Sequence, residues 1–206
     1  MLMNKRKGTL FIISGPSGTG KGTVIKELLK NHEKDVFLSI SATTRAPRNG
    51  EADGIHYHFK THDEFKTMID NDGLLEWACF CGNYYGTPKK TVDDMLENGV
   101  DVILEIEIQG AMKIKEKDIG AKYIFILPPS FEELKQRLVG RKTESTDVIE
   151  KRLETAKGEL PYAEKYDYVV VNDDVEKAVS RIESIINAER CRVDKNKNLI
   201  EEVQKL

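Results

Sequence analysis

Short apolar runs alternate along the chain with stretches in which apolar positions recur three and four residues apart. The runs Thr9–Ser14, Asp35–Ser41, Val100–Ile108, Ala121–Leu127 and Tyr168–Val171 read as strands. Between them, Thr23–Leu29 carries Val24, Ile25, Leu28 and Leu29 on one helical face. Val175, Ala178, Val179, Ile182, Ile185 and Ile186 form a second helical stripe. Ser130 with Glu133 opens a further helix through Phe131, Leu134 and Leu138. Strands alternating with helices predict an α/β fold, a parallel sheet flanked by helices.

Residues 38–91 break that alternation and read as an insertion with its own small sheet. Thr43–Gly50 is a loop, and Gly54–Lys60 alternates like a strand, which places His56 and His58 on one surface face. Thr61 with Glu64 predicts a capping box ahead of a helix through Phe65, Met68 and Ile69. Leu74–Cys81 reads as a strand and Gly82–Gly86 as a turn, after which Thr87 caps a helix with Pro88 at its first position. Residues 139–165 are mostly charged and polar, broken by Gly140, Gly158 and Pro161, and read as a helical lid. The core is then 8–37, 92–138 and 166–188, with 189–206 a polar tail.

The first strand runs into Gly15-Pro16-Ser17-Gly18-Thr19-Gly20-Lys21-Gly22-Thr23. Glycines let a loop curl its N–H groups inward around an anion, and the helix that follows points its positive dipole end at the same place. Lys21 adds an ammonium for the outer phosphates of a nucleoside triphosphate. The residue after the lysine is Gly22, where the general motif has a magnesium-binding hydroxyl, and Thr23 follows one place later. Nucleoside monophosphate kinases often read this way. Mg2+ would then be held mainly by phosphates and water, with Glu105 able to contribute through water.

Two other groups carry candidate chemistry. On a strand over Val100–Ile108, Glu105 and Glu107 share one face near the carboxyl end, where open α/β sheets bind ligands. One would stand near magnesium water or Lys21 and the other would face substrate; the alternative is an edge strand with a solvated face. Arg45 and Arg48, three apart in a loop, match the oxygens of a second phosphate, or are simply solvated. The insertion also offers Ser41, Tyr57, Glu76, Tyr85 and Thr87. A carboxylate accepts from both N1–H and the N2 amino group of guanine, an adjacent pair that adenine lacks.

Composition narrows the classes. The chain has 206 residues and a formal net charge of −3, with 39% hydrophobic and 33% charged residues. That balance predicts a soluble globular protein and argues against nucleic-acid binding. No apolar run approaches the roughly 20 residues that span a bilayer, so no membrane partner is expected. Cys79, Cys81 and Cys191 lack a metal or redox spacing and fit a reducing, cytoplasmic setting. Cys79 and Cys81 are expected on one strand face, buried or half-buried.

Several segments together resemble guanylate kinase. They are Gly15–Thr23, Ser41-Ala42-Thr43-Thr44-Arg45-Ala46-Pro47-Arg48, Glu76-Trp77-Ala78, Gly82-Asn83-Tyr84-Tyr85-Gly86-Thr87, Ile108-Gln109-Gly110 and Val171-Asn172-Asp173-Asp174. They occur in order over about residues 8–188. The resemblance implies a P-loop core, a GMP-binding insertion and a lid, and the reaction ATP + GMP ⇌ ADP + GDP with Mg2+. It implies that Ser41, Arg45, Arg48, Tyr57 and Tyr85 hold the GMP phosphate. Glu76, Thr87 and Glu107 would read guanine; family members commonly carry Asp where Glu107 stands. Arg137, Arg141 and Arg152 would reach the ATP phosphates from the lid side, and Asn172 would contact adenine. Lys21, Arg45, Arg141 and Arg152 would neutralise charge in the transfer. A monomer or homodimer is expected. The competing readings are a monophosphate kinase for another base and a non-catalytic guanylate kinase-like interaction module.

Overall fold

The computed structural model describes residues 6–140 and 146–205. The first strand, β1 (Leu10–Ser14), is buried along its whole length because it lies at the middle of a parallel sheet. Its neighbours are β7 (Asp101–Glu105) and β8 (Lys122–Leu127); β2 (Val36–Leu38) and β9 (Tyr168–Val171) form the edges, in the order β2-β7-β1-β8-β9. Alternate residues of β1 serve opposite faces. Phe11 and Ile13 join Val24, Ile25 and Leu28 of α1 (Lys21–His32), together with Val179, Ile182 and Ile186 of α7 (Val175–Arg190). Leu10 and Ile12 join Val92 and Leu96 of α3 (Lys89–Glu97), and Ala111 and Ile114 of α4 (Ile108–Glu116). Each fully buried aliphatic side chain contributes about 1.5–3 kcal/mol. The two apolar layers therefore fix where β1 ends and the phosphate loop begins.

Asp101, fully buried at the start of β7, anchors the opposite end of the sheet. It accepts both Nη groups of Arg6 at 2.9 and 2.8 Å, the Thr9 amide at 2.7 Å and Arg190 Nε at 2.7 Å. Burial alone would raise this carboxyl; these donors outweigh it and hold the group below its ordinary range.

A second sheet, in the order β4-β3-β6-β5, comprises β3 (Ala42–Thr43), β4 (His58–Phe59), β5 (Leu74–Phe80) and β6 (Asn83–Pro88). It has its own small core of Ala42, Phe65 and Leu74, with Tyr84 stacked on Phe65 at 5.5 Å. Phe65 belongs to α2 (His62–Asp70), and the capping box of Thr61 and Glu64 forms as the sequence predicts. The remaining helices are α5 (Phe131–Val139), α6 (Thr146–Glu159), followed by a 3-10 turn Leu160–Lys165, and α8 (Lys197–Gln204) in the tail. Leu134, Leu138 and Ala156 form a separate cluster between α5 and α6.

Several local expectations are corrected. Residues 83–86 do not turn the chain; the reversal is a two-residue turn at Cys81 and Gly82, both with positive φ (48° and 75°), and pairing resumes at Phe80↔Asn83. Thr87 therefore lies in β6, and Pro88, not Thr87, precedes α3. Cys79 is on a strand, Cys81 is in the turn, and both are exposed. His56 lies outside β4 and accepts from the Ala52 amide, so it does not share a strand face with His58. The strand at Val100–Ile108 stops at Glu105, opposite Ile13, because β1 then leaves the sheet to enter the phosphate loop. Helix α4 begins three residues later, and that element is absent from the sequence reading.

Candidate active site

The phosphate loop joins β1 to α1 and is fastened from behind. Gly20 stands at the helix N-cap with φ 86°, and a Cβ there would lie 2.5 Å from Asn172 Nδ2. That close approach lets the buried Asn172 amide donate to the Thr19 carbonyl at 2.7 Å. Arg137 Nη2 donates to the Asn172 carbonyl at 3.0 Å, its Nη1 reaches the Thr19 carbonyl at 3.4 Å, and its Nε pairs with Glu133. Helix α1 has no acidic residue in its first turn and no side-chain cap, so its N-terminal amides face the loop's concavity. Lys21 Nζ donates to the carbonyls of Gly15 at 2.5 Å and Pro16 at 3.2 Å. Arg152, from α6, reaches Ser17 Oγ at 3.2 Å. Arg141 lies outside the described residues. Beside the loop a cleft of about 450 Å³ is lined by Gly18, Gly20, Thr23, Arg137, Asn172 and Asp174.

A second basic cradle sits on the small sheet. Arg45 makes an end-on pair with Glu51, Nη1 and Nη2 each at 2.9 Å, and Nη1 also donates to the Ala46 carbonyl at 2.8 Å. These contacts take both Nη1 protons and one Nη2 proton, so the Nε–Nη2 side of the guanidinium is the side that can grip a phosphate. The guanidinium carbon lies 5.4 Å from the Tyr57 ring centroid and 6.0 Å from that of Phe59. Tyr85 packs edge-on to Tyr57 at 6.1 Å, and its hydroxyl is close enough to reinforce the Arg45 charge. Glu51 also accepts the Arg48 amide at 2.7 Å. Arg45 and that amide hold the Glu51 carboxyl at about 2. Glu51 is missing from the sequence reading; an acid three residues after Arg48 was the available signal. The Arg48 side chain is exposed, and half-buried Ser41 stands just before β3, its carbonyl bonded to the His58 amide.

Glu76, 8% exposed, accepts the Thr87 hydroxyl at 2.8 Å, so the segment that does not cap a helix instead orients a buried acid. Burial raises the Glu76 carboxyl, against the opposing pull of the Thr87 hydroxyl and of Lys113 and Lys117. Glu105, at the end of β7, is exposed. A Cβ on Gly22 would come within 3.6 Å of its Oε1. Partial desolvation raises its carboxyl, Lys21 lowers it and Glu107 raises it. Glu107 does not share a strand face with Glu105: it is the exposed N-cap residue of α4. Glu159, at the end of α6, is raised by burial and by Glu107 and lowered by Lys21. Tyr57 is raised chiefly by burial, and Glu105 is among the charges that act on it. Glu105 thus feels Lys21 on one side and acts on Tyr57 beside Arg45 on the other.

A parallel sheet whose first strand ends in an open anion-binding loop, with a second basic cluster carried on a separate small sheet, is the architecture of a P-loop phosphotransferase. The comparisons with known proteins agree. The family model for guanylate kinase matches residues 7–189. The chain is 58% identical to guanylate kinase of Caldanaerobacter subterraneus subsp. tengcongensis, over 95% of this chain and 94% of the relative. It is 56% identical to that of Clostridium perfringens strain 13, over 97% and 94%. The crystal structure of guanylate kinase from Anaplasma phagocytophilum superposes with a TM-score of 0.74 at 36% identity, covering 93% of this chain and 90% of that one. The chain belongs to the guanylate kinase family and is an enzyme of that family. Its members are phosphotransferases that generally need a divalent metal.

Asn172 supports the loop through one buried hydrogen bond. Asn172→Ala is expected to weaken binding of a nucleoside triphosphate analogue about 5- to 10-fold by titration calorimetry, the scale of one such bond.

Proposed function

We propose that the protein transfers the γ-phosphate of ATP to GMP, and to dGMP, giving ADP and GDP. The observation that supports this reading is Glu105, which lies against Gly22 of the Lys21 loop and is among the charges acting on Tyr57 of the Arg45–Tyr57–Tyr85 cradle; on this reading the two cradles share one space. ATP sits with its phosphates on Gly15–Thr23 and its base towards the cleft at Asn172. GMP places its phosphate on Arg45, Arg48, Tyr57, Tyr85 and Ser41, and its guanine against Glu76 and Thr87, with Glu107 at the rim of α4. A substrate panel of GMP, dGMP, IMP, AMP and UMP in a coupled assay for ADP tests the reading; activity with AMP above that with GMP would point to a kinase for another base.

The acceptor is a phosphate oxygen of GMP. With a second pKa near ~6 a phosphate monoester is largely a dianion at neutral pH, so no general base is required. The difficulty is repulsion between two polyanions. Lys21 exchanges the Gly15 and Pro16 carbonyls for phosphate oxygens, and Arg152, now at Ser17, approaches the same phosphates. Arg45 keeps Glu51 on its end-on side while its Nε–Nη2 side takes the GMP phosphate. Mg2+ supplies charge neutralisation across the phosphates when bound. Among the described residues no three His, Cys, Asp or Glu side chains converge. A hard ion there would be held mainly by nucleotide oxygens and water, and Glu105, near Gly22 and Lys21, would be the residue able to accept from such a water.

The separate small cores under the second sheet and between α5 and α6 support closure of both segments over the two nucleotides, which excludes water as a rival acceptor. The three cysteines are free and exposed, which supports a reducing, cytoplasmic setting.

Lys21→Ala is expected to lower kcat on the order of 10³-fold or more, the loss of a central transition-state charge; a loss below tenfold removes Lys21 from this role. For Glu76, the sign of the pH effect follows from its raised carboxyl. As pH falls, Glu76 takes up a proton at a higher pH than an ordinary glutamate and one acceptor for guanine is lost. Glu76→Gln should therefore raise the KM for GMP tenfold or more at pH 8. The ratio of mutant to wild-type KM should shrink towards one on the acid side, and the KM for ATP should stay unchanged. Comparing mutant and wild type cancels the titration of the GMP phosphate itself.

A further inference from the structure

Glu76 lies in an irregular stretch of an edge strand. The register of β5 on β6 passes from Leu74↔Pro88 to Trp77↔Gly86, so one extra residue stands on the β5 side between them. Such a bulge breaks the ladder and re-aims side chains, which leaves the strand less firmly held where aim matters. Strand β5 is also the outer strand of its sheet.

The missing restraint comes from α4, which packs in the main sheet's core. Lys117 Nζ donates to the Leu75 carbonyl at 2.7 Å, and Lys113 Nζ donates to the Trp77 carbonyl at 2.6 Å. These two carbonyls belong to the residues immediately before and after Glu76. Lys113 also lies 5.5 Å from the centroid of the Trp77 ring. Lys113 in the last turn of α4 and Lys117 at its C-cap lie four apart and on one side, so the C-terminal end of α4 grips both sides of the acid. The first turn of α4 closes in as well: a Cβ on Gly110 would come within 2.9 Å of Glu76 Oε2.

We propose that Lys113 and Lys117 are positioning residues for base selection: by holding the carbonyls of Leu75 and Trp77 they lock the bulged stretch so that both Glu76 acceptors meet the adjacent N1–H and N2 amino donors of guanine. This rests on the reading of the protein as a GMP kinase. Their charge acts in the same direction, because both ammonium groups oppose the burial that disfavours the Glu76 anion. Release of the clamp lets the carboxylate tilt. One of the two guanine bonds then weakens, and guanine loses its advantage over hypoxanthine, which keeps N1–H and lacks the amino group.

The test is the ratio of kcat/KM for GMP to that for IMP, measured on the full chain with saturating ATP. In the double variant Lys113→Met, Lys117→Met the ratio is expected to fall about tenfold, the scale of one hydrogen bond to a charged acceptor, with the KM for ATP unchanged. The Lys113→Arg, Lys117→Arg variant restores most of it. A merely structural role would depress GMP and IMP use equally, so an unchanged ratio overturns the inference. If the double variant does not fold, the single methionine variants read the same ratio. Wild-type protein that does not phosphorylate GMP would instead overturn the functional reading on which this rests.

Discussion

Phosphoryl transfer between two nucleotides requires two clusters of negative charge to approach within bonding distance. At 4 Å a pair of like unit charges repels by about 4 kcal/mol at an effective dielectric of 20, and several such pairs act at once. The rest of this architecture follows from that repulsion. On the proposed reading, cations wait at the meeting point and are held there before the substrates arrive. Lys21 rests on the carbonyls of its own loop, Arg45 on Glu51, and Arg152 on Ser17. Each is already positioned by an internal acceptor that phosphate can supplement or replace.

The parallel sheet sets the first of these positions. β1 is covered on both faces, so the point where it leaves the sheet is fixed by two apolar layers. Its departure ends the pairing of β7 at Glu105, which places that carboxylate beside Lys21 and Gly22. The second position is set on a separate sheet with a smaller core. Between the two, α4 serves both: its apolar face belongs to the main core and its lysines grip β5. A single helix therefore relates Glu76, the acid proposed to read the base, to the main sheet that carries the phosphate loop.

Much of this was legible in the chain wherever the signal is contiguous. The phosphate loop is a run of nine residues, and the strand before it and the helix after it follow from local pattern. Tyr168–Val171 and the Thr61–Glu64 capping box appear where the sequence places them. The misreadings share a physical cause, which is distant pairing. Glu107 looked like a strand residue because β-branched neighbours continue the alternation, but the partner strand is gone by then. Thr87 has the composition of a helix cap, yet its segment pairs with β5 and its hydroxyl goes to Glu76. Cys81 adopts positive φ in a turn that a non-glycine residue does not advertise. The pairing of Glu51 with Arg45, and of Lys113 and Lys117 with β5, join side chains to partners that no periodicity reports.

The central claim is that two anion cradles share one reaction space. The most direct measurement is the affinity of a single molecule that carries adenosine and guanosine joined by five phosphates. If the cradles converge, tethering makes the second binding event intramolecular, and the linked compound binds on the order of 10²-fold tighter than the better of ATP and GMP alone. Binding no tighter than the better single nucleotide would mean that the Lys21 loop and the Arg45 cradle do not face one another, and the account would be wrong.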